Sequence, residues 1–83
     1  MKKLKYYGIG QVVWANLSPV VGEELGGIRP CKICGRKGYL VQVVPYIYKN
    51  DKYYPVYFQA RTIDDKRIIG LYEGKEEDFD EAK

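Results

Sequence analysis

Apolar and aromatic residues gather into short runs in this 83-residue chain, and the residues between the runs favour turns. The runs are rich in Val, Ile and Tyr, which fit strands, whereas Gly, Pro, Asn and Asp separate them. The predicted strands span residues 10–17, 29–34, 39–48, 53–60 and 68–72. Short strands joined by tight turns are typical of a small closed or partly open β-barrel. We therefore predict one mainly β domain, residues 1–83, with a short helical turn at residues 62–67.

The middle of the chain carries the clearest hairpin signal. Asn50 and Asp51 lie between two aromatic runs and are expected to form a two-residue hairpin loop. The facing pairs would then be Tyr48 with Tyr53, Tyr46 with Pro55 and Val44 with Tyr57. Four tyrosines would share one face of this hairpin: Tyr46, Tyr48, Tyr53 and Tyr57. Such a face is either a platform that stacks exposed bases or a half-buried barrel or dimer surface.

Charge is divided unevenly along the chain. Residues 1–72 contain 12 Lys and Arg against 5 Asp and Glu, whereas residues 73–83 contain 6 acidic residues against 2 lysines. A basic body favours a polyanionic partner. The acidic end is a solvated tail or the beginning of a helix over residues 76–82. A further hypothesis is that this tail folds over the basic face of its own chain, or of a second copy, as a built-in inhibitor.

Cellular location is predicted from what the sequence does not contain. No apolar run approaches the roughly 18 residues of a membrane-spanning helix. No apolar signal core follows the basic first five residues. We expect a cytoplasmic protein without a membrane partner, in which a homodimer would enlarge a small core.

Cys31 and Cys34 form an isolated Cys-x-x-Cys pair, a spacing found in zinc and redox sites. A structural zinc ion needs four ligands, and the chain has no other cysteine and no histidine. On a strand, positions three apart also point to opposite faces. We therefore predict no metal and no cofactor, and leave an intersubunit zinc site as the weaker alternative.

The segment between the first two predicted strands is rich in glycine and acidic residues. It reads Gly22-Glu23-Glu24-Leu25-Gly26-Gly27-Ile28-Arg29-Pro30. A residue before proline is restricted to extended geometry, so Arg29 is expected to start a strand and to point out of the loop. Its planar guanidinium suits phosphate oxygens. The alternative is an arginine that ties down its own loop through Glu23 or Glu24.

This segment resembles the MazF/PemK toxin family, in which Gly-x-Glu-x-x-Gly-x-Arg-Pro follows the first long strand. A second segment, residues 59–68, resembles the family's Gln-x-Arg-Thr-Ile-Asp-x-x-Arg-Leu. Here it reads Gln59-Ala60-Arg61-Thr62-Ile63-Asp64-Asp65-Lys66-Arg67-Ile68. Two separate motifs that occur in the family's order argue against a chance similarity.

The resemblance implies an SH3-like barrel, a homodimer, and metal-free cleavage of single-stranded RNA that a partner antitoxin neutralises. Cleavage of this kind uses the neighbouring 2′-hydroxyl as nucleophile. The resemblance implies that Arg29 binds the phosphate and that Glu24 acts as base or positions Arg29. The residues expected to bind RNA are Gly22, Pro30, Tyr46, Tyr48 and Lys49.

The chain also departs from the family in a catalytic position. Active members carry Thr or Ser at the end of the strand that follows the Arg-Pro strand. Alignment of residues 39–44 with that strand puts Pro45 there, and proline has neither hydroxyl nor amide hydrogen. The chain's only hydroxyl residues of this type, Ser18 and Thr62, fall within other motifs. The alternative function is therefore an inactive binding module for nucleic acid or an antitoxin-like peptide.

Overall fold

Six antiparallel strands make up most of the fold in a computed structural model, which describes residues 7–18, 22 and 24–80. They are β1 (Val12–Asn16), β2 (Ile28–Lys37), β3 (Leu40–Lys49), β4 (Lys52–Pro55), β5 (Arg61–Asp64) and β6 (Ile68–Leu71). Three single 3₁₀ turns, Tyr57–Gln59, Asp65–Arg67 and Glu76–Asp78, follow β4, β5 and β6. The predicted mainly β class is confirmed.

The long strand β3 organises the sheet, whose order is β4-β3-β2-β1-β6. The first half of β3 pairs with β5, and its second half pairs with β4. No ladder joins β5 to β6 in the described part of the chain, so hydrogen bonds do not close the sheet into a complete barrel. One face carries the core: Val13, Ala15, Leu17, Cys31, Ile33, Val41, Val43 and Ile63.

Pro45 lies inside β3 and does not end it. It is fully buried and stands opposite Cys31 in the β2 ladder, and the strand continues to Lys49. The residue sits where β3 leaves β5 and begins to pair with β4. A proline fits at this junction because it cannot supply a ladder donor.

The predicted hairpin forms with the expected register. Asn50 and Asp51 have φ values of 53° and 65°, which a two-residue loop between twisted strands requires. Tyr48 faces Tyr53, and Tyr46 faces Pro55. The pairing of Val44 with Tyr57 is wrong because β4 ends at Pro55 and the chain enters a 3₁₀ turn.

Other boundaries also differ from the sequence-based expectation. The predicted turn at residues 35–38 is shorter, since β2 absorbs a bulge between Ile33 and Gly35 and continues to Lys37. The predicted helical turn at residues 62–67 is a strand in its first half, because Thr62 and Ile63 pair with β3. The expected helix over 76–82 is a single 3₁₀ turn within the described residues.

The acidic C-terminal segment packs against the outer face of the sheet through Phe79. The Phe79 ring lies 4.7 Å from that of Tyr46, 5.0 Å from Tyr72 and 5.3 Å from Tyr53, measured between centroids. The amide of Asp80 also donates to the carbonyl of Tyr53 at 2.8 Å. The segment is therefore held by aromatic packing and by a hydrogen bond from Lys52 Nζ to the carbonyl of Glu77 at 2.8 Å.

Replacing Phe79 with alanine is expected to lower the free energy of unfolding by about 2 kcal/mol, since a half-buried ring loses three aromatic neighbours. Thermal unfolding should then occur roughly 10 °C lower. Glu76→Ala, in the exposed turn just before it, is the matched control and should leave the melting temperature unchanged. Equal melting temperatures for wild type and Phe79→Ala would contradict the packing role.

Candidate nucleic-acid interface

The loop between β1 and β2 is closed at its base by hydrogen bonds. The amide of Leu17 donates to the carbonyl of Gly27 at 2.9 Å, and the amide of Gly27 donates to Ser18 Oγ at 2.8 Å. Gly27 adopts φ 76°, in the left-handed region that glycine tolerates. Arg67, from the second motif, donates to the carbonyl of Ser18. The two sequence motifs therefore meet in space at this loop.

Arg29 is the second residue of β2 and folds back over the loop. Its Nε donates to the carbonyl of Gly26 at 3.0 Å, and its Nη1 donates to the carbonyl of Tyr46 at 3.0 Å. Arg29 thus binds its own loop through the carbonyl of Gly26 and binds β3 through the carbonyl of Tyr46. The predicted alternative was a tie through Glu23 or Glu24. Glu23 lies outside the described residues, and the acceptors that the structure gives for Arg29 are the carbonyls of Gly26 and Tyr46.

Arg61 is a second guanidinium at the same loop and was not among the site residues predicted from the sequence. Its Nη1 donates to the carbonyl of Leu25 at 2.9 Å, and its Nη2 donates to Gln59 Oε1 at 2.9 Å. Gln59 Oε1 also accepts the amide of Leu25 at 2.8 Å. Arg29 and Arg61, the arginine pair, therefore hold consecutive carbonyls of one loop. The Gln-x-Arg spacing of the second motif was the available signal.

The arginine pair has only neutral acceptors among the described residues. All hydrogen-bond acceptors of both side chains are carbonyl or amide oxygens, and neither forms an ion pair with a carboxylate in the described part of the chain. Arg36 differs, since its Nη2 lies 2.6 Å from Asp65 Oδ2. An arginine stays charged at any ordinary pH. Two such groups on one loop are suited to bind an anion with several oxygens, such as a phosphate.

Cys31 lies beneath the arginine pair in the core. Burial raises the pKa of its thiol to about 12, although the positive charges of Arg29 and Arg61 act in the opposite direction. Cys34 is exposed, so the prediction that the two cysteines point to opposite faces is confirmed. No group of three or more Cys, Asp or Glu side chains suited to a metal ion occurs among the residues described.

Alkaline pH is expected to destabilise the fold through Cys31. The folded thiol keeps its proton to a higher pH than an unfolded thiol of pKa 9.0. The stability that it contributes is therefore complete below about pH 9 and falls by up to about 1.4 kcal/mol per pH unit above it. Urea unfolding between about pH 8 and pH 10 measures this slope. Cys31→Ala should show a flatter slope, and an identical slope would refute the assignment.

The residues predicted to bind RNA fall into two groups. Gly22, Tyr48 and Lys49 are exposed, and Glu24 is an exposed residue of the loop. The side chains of Pro30 and Tyr46 are fully buried. A buried ring cannot stack on a base, so the platform of four tyrosines does not form. Tyr46 instead packs under Phe79 with its ring and holds Arg29 with its carbonyl.

No serine or threonine hydroxyl contacts Arg29 among the described residues. Ser18 Oγ accepts a loop amide, and Thr62 is exposed on β5 opposite Gln42. On β3, the group that contacts Arg29 is the carbonyl of Tyr46, and the next residue along the strand is Ile47. The hydroxyl position of the family thus has no Ser or Thr equivalent here, although the strand does not stop at Pro45.

An apolar groove of about 490 Å³ opens beside the loop. It is lined by Leu25, Ile47, Pro55, Val56, Tyr57, Phe58 and Gln59. A second groove of about 580 Å³ lies under the C-terminal segment, between Gln11, Lys32, Tyr72 and Phe79, and no arginine lines it. The first groove is therefore the one that adjoins the arginine pair.

Neither the protein-family models nor the curated proteins compared with this chain gave a match. Membership of the MazF/PemK family therefore stays a prediction carried by the two motifs. Within the described residues, no helix has the length and apolar character needed to cross a membrane.

Proposed function

We propose that the protein is a MazF/PemK-like toxin, an endoribonuclease that binds single-stranded RNA at the arginine pair and cleaves it without a metal ion. The observation that supports this best is the pair of guanidinia on one loop, whose acceptors in the described part of the chain are all neutral. Positive charge that pairs with no carboxylate among the described residues favours a phosphate backbone as ligand. The two motifs that resemble the family supply these same arginines.

The reaction would proceed by attack of the RNA's own 2′-hydroxyl on the adjacent phosphorus. The bond to the 5′-oxygen of the next nucleotide breaks, which leaves a 2′,3′-cyclic phosphate and a 5′-hydroxyl. Arg29 and Arg61 would stabilise the negative charge that builds up on the non-bridging oxygens. Glu24 would accept the 2′-hydroxyl proton, and water would supply a proton to the leaving oxygen. Neither arginine can act as the acid, because a guanidinium does not give up its proton.

A second candidate function is binding without cleavage, to nucleic acid or an antitoxin-like peptide. It is favoured by the residues beside Arg29, since Pro45 is buried and Ile47 lines the apolar groove. Neither side chain donates a hydrogen bond or transfers a proton. Small β folds support many binding functions, so the fold does not distinguish the two candidates.

The resemblance also supplies the remaining parts of the proposal. They are an SH3-like barrel, a homodimer and neutralisation by a cognate antitoxin protein, to which the sequence composition adds a cytoplasmic location. Sedimentation equilibrium of the purified protein tests the dimer, for which a monomer mass at micromolar concentration would be the contrary result.

The test of function is incubation of a long unstructured RNA with the purified protein in EDTA. Fragments with 2′,3′-cyclic phosphate and 5′-hydroxyl ends are expected. A 2′-deoxy oligonucleotide of the same base sequence is the matched control, because it keeps the phosphates and lacks the nucleophile. Binding of both with cleavage of neither would favour the second candidate, and binding of neither would exclude both nucleic-acid functions.

A further inference from the structure

The 3₁₀ turn Tyr57–Gln59 presents an aromatic side chain almost entirely to solvent. The Phe58 side chain is 88% exposed, and its neighbour Tyr57 is 64% exposed. The turn itself is held, because the amide of Val56 donates to the carbonyl of Pro45 at 2.8 Å and that of Ala60 to the carbonyl of Tyr57 at 3.1 Å. Phe58 thus projects from a fixed backbone while it contributes little to the core. Exposed apolar surface that is continuous with a groove is typical of a contact surface.

The groove beside Phe58 shares residues with the arginine pair. Leu25 and Gln59 line the groove, and the same two residues accept the hydrogen bonds of Arg61. Ile47 lines it as well, directly after the residue whose carbonyl holds Arg29. A ligand in the groove would therefore have two positive charges at its side.

This combination fits a nucleotide better than a protein surface. The volume of about 490 Å³ lies within the roughly 300–1,000 Å³ range of small-ligand clefts. A base has an apolar face for the aromatic ring, and its phosphate supplies charge to the arginines. An apolar protein segment would instead cover two charges without pairing them, which is unfavourable.

We propose that the groove binds one unpaired nucleobase of single-stranded RNA, stacked on Phe58, with the adjacent phosphate on Arg29 and Arg61. The proposal rests on the RNA-binding function proposed above and assigns its base-contacting residue. It replaces the tyrosine platform predicted from the hairpin, whose central ring is buried. A base paired within a duplex does not offer its face, so double-stranded RNA should not use the groove.

The test is fluorescence anisotropy of a short, fluorescein-labelled 2′-O-methyl RNA at low salt, single-stranded or annealed to its complement. The methyl groups block the 2′ nucleophile, so binding is measured without cleavage. Phe58→Ala should weaken single-strand binding about tenfold. Phe58→Trp should restore it, whereas Phe58→Leu should not, because leucine is apolar but not planar. Duplex binding should be the same in all four proteins.

Tyr39→Ala is the matched control, since this aromatic side chain is 75% exposed at the turn between β2 and β3. It should bind single-stranded RNA like the wild type. Wild-type binding by Phe58→Ala, or equal rescue by leucine and tryptophan, would overturn the stacking proposal while the RNA-binding function stands. A dimer in the wild type that dissociates in Phe58→Ala would overturn it in favour of an interface between copies. Absence of RNA binding by the wild type would reject the proposed function itself.

Discussion

Arg29→Ala is expected to lower the rate of RNA cleavage in EDTA by at least about a hundredfold, the usual cost of removing one group that stabilises transition-state charge. Arg29 donates through Nε and Nη1 to main-chain carbonyls, so its second Nη1 hydrogen and both Nη2 hydrogens remain to engage a phosphate. The measurement is the initial rate of fragment formation from a long unstructured RNA.

Two further variants separate charge from geometry in this prediction. Arg29→Lys keeps the charge but loses the fork, so RNA binding should largely persist while cleavage stays low. Lys37→Ala removes a charge at the other end of the same strand, about 25 Å away, and should cleave like the wild type. Because Arg29 also holds the loop, the melting temperature of each variant is measured in parallel. Undiminished cleavage by a folded Arg29→Ala protein would remove Arg29 from the mechanism.

The sequence predicted those parts of the fold that depend on local rules. Asn50 and Asp51 tolerate positive φ, so the hairpin and its register followed from two residues and the alternation around them. The opposite exposure of Cys31 and Cys34 followed from strand geometry alone. The continuous course of β3 through Pro45 did not, since a proline in a strand indicates an interruption, whereas here it stands at the junction between two pairing partners.

The site could be predicted only in part, because some of its features depend on local sequence and others on contacts between distant residues. A proline after Arg29 restricts the local backbone, and this indicated correctly that the arginine begins a strand. Its acceptors lie on residues close in space but distant in sequence, such as the Tyr46 carbonyl, and no local pattern specifies them. The same holds for the full burial of Tyr46, which alternation placed on a face predicted to be either an exposed platform or a half-buried surface. Phe79 arrives from a separate segment and buries it.

Arg61→Ala is expected to lower both the stability contributed by the loop and the affinity for RNA. It removes hydrogen bonds from a charged donor to the Leu25 carbonyl and to Gln59 Oε1. Bonds of this type contribute about 1.5–3 kcal/mol each, so the free energy of unfolding should fall by about 3 kcal/mol. The melting temperature should drop by more than about 10 °C. Thermal unfolding monitored by the near-ultraviolet signal of Trp14 and the tyrosines gives this value.

Gln59→Ala is the matched variant that distinguishes the two effects of Arg61. It also loosens the loop, because the Leu25 amide and Arg61 Nη2 lose their shared acceptor. It removes neither guanidinium, and Arg61 keeps its hydrogen bonds to the carbonyls of Leu25 and Gln59. Both variants should therefore melt at lower temperatures, while only Arg61→Ala should reduce the dependence of RNA affinity on salt. The slope of log affinity against log salt should decrease by about 0.7, the value for one phosphate contact with a single strand. If Gln59→Ala lowered the slope equally, Arg61 would act only by shaping the loop. The phosphate contact would then belong to Arg29 alone.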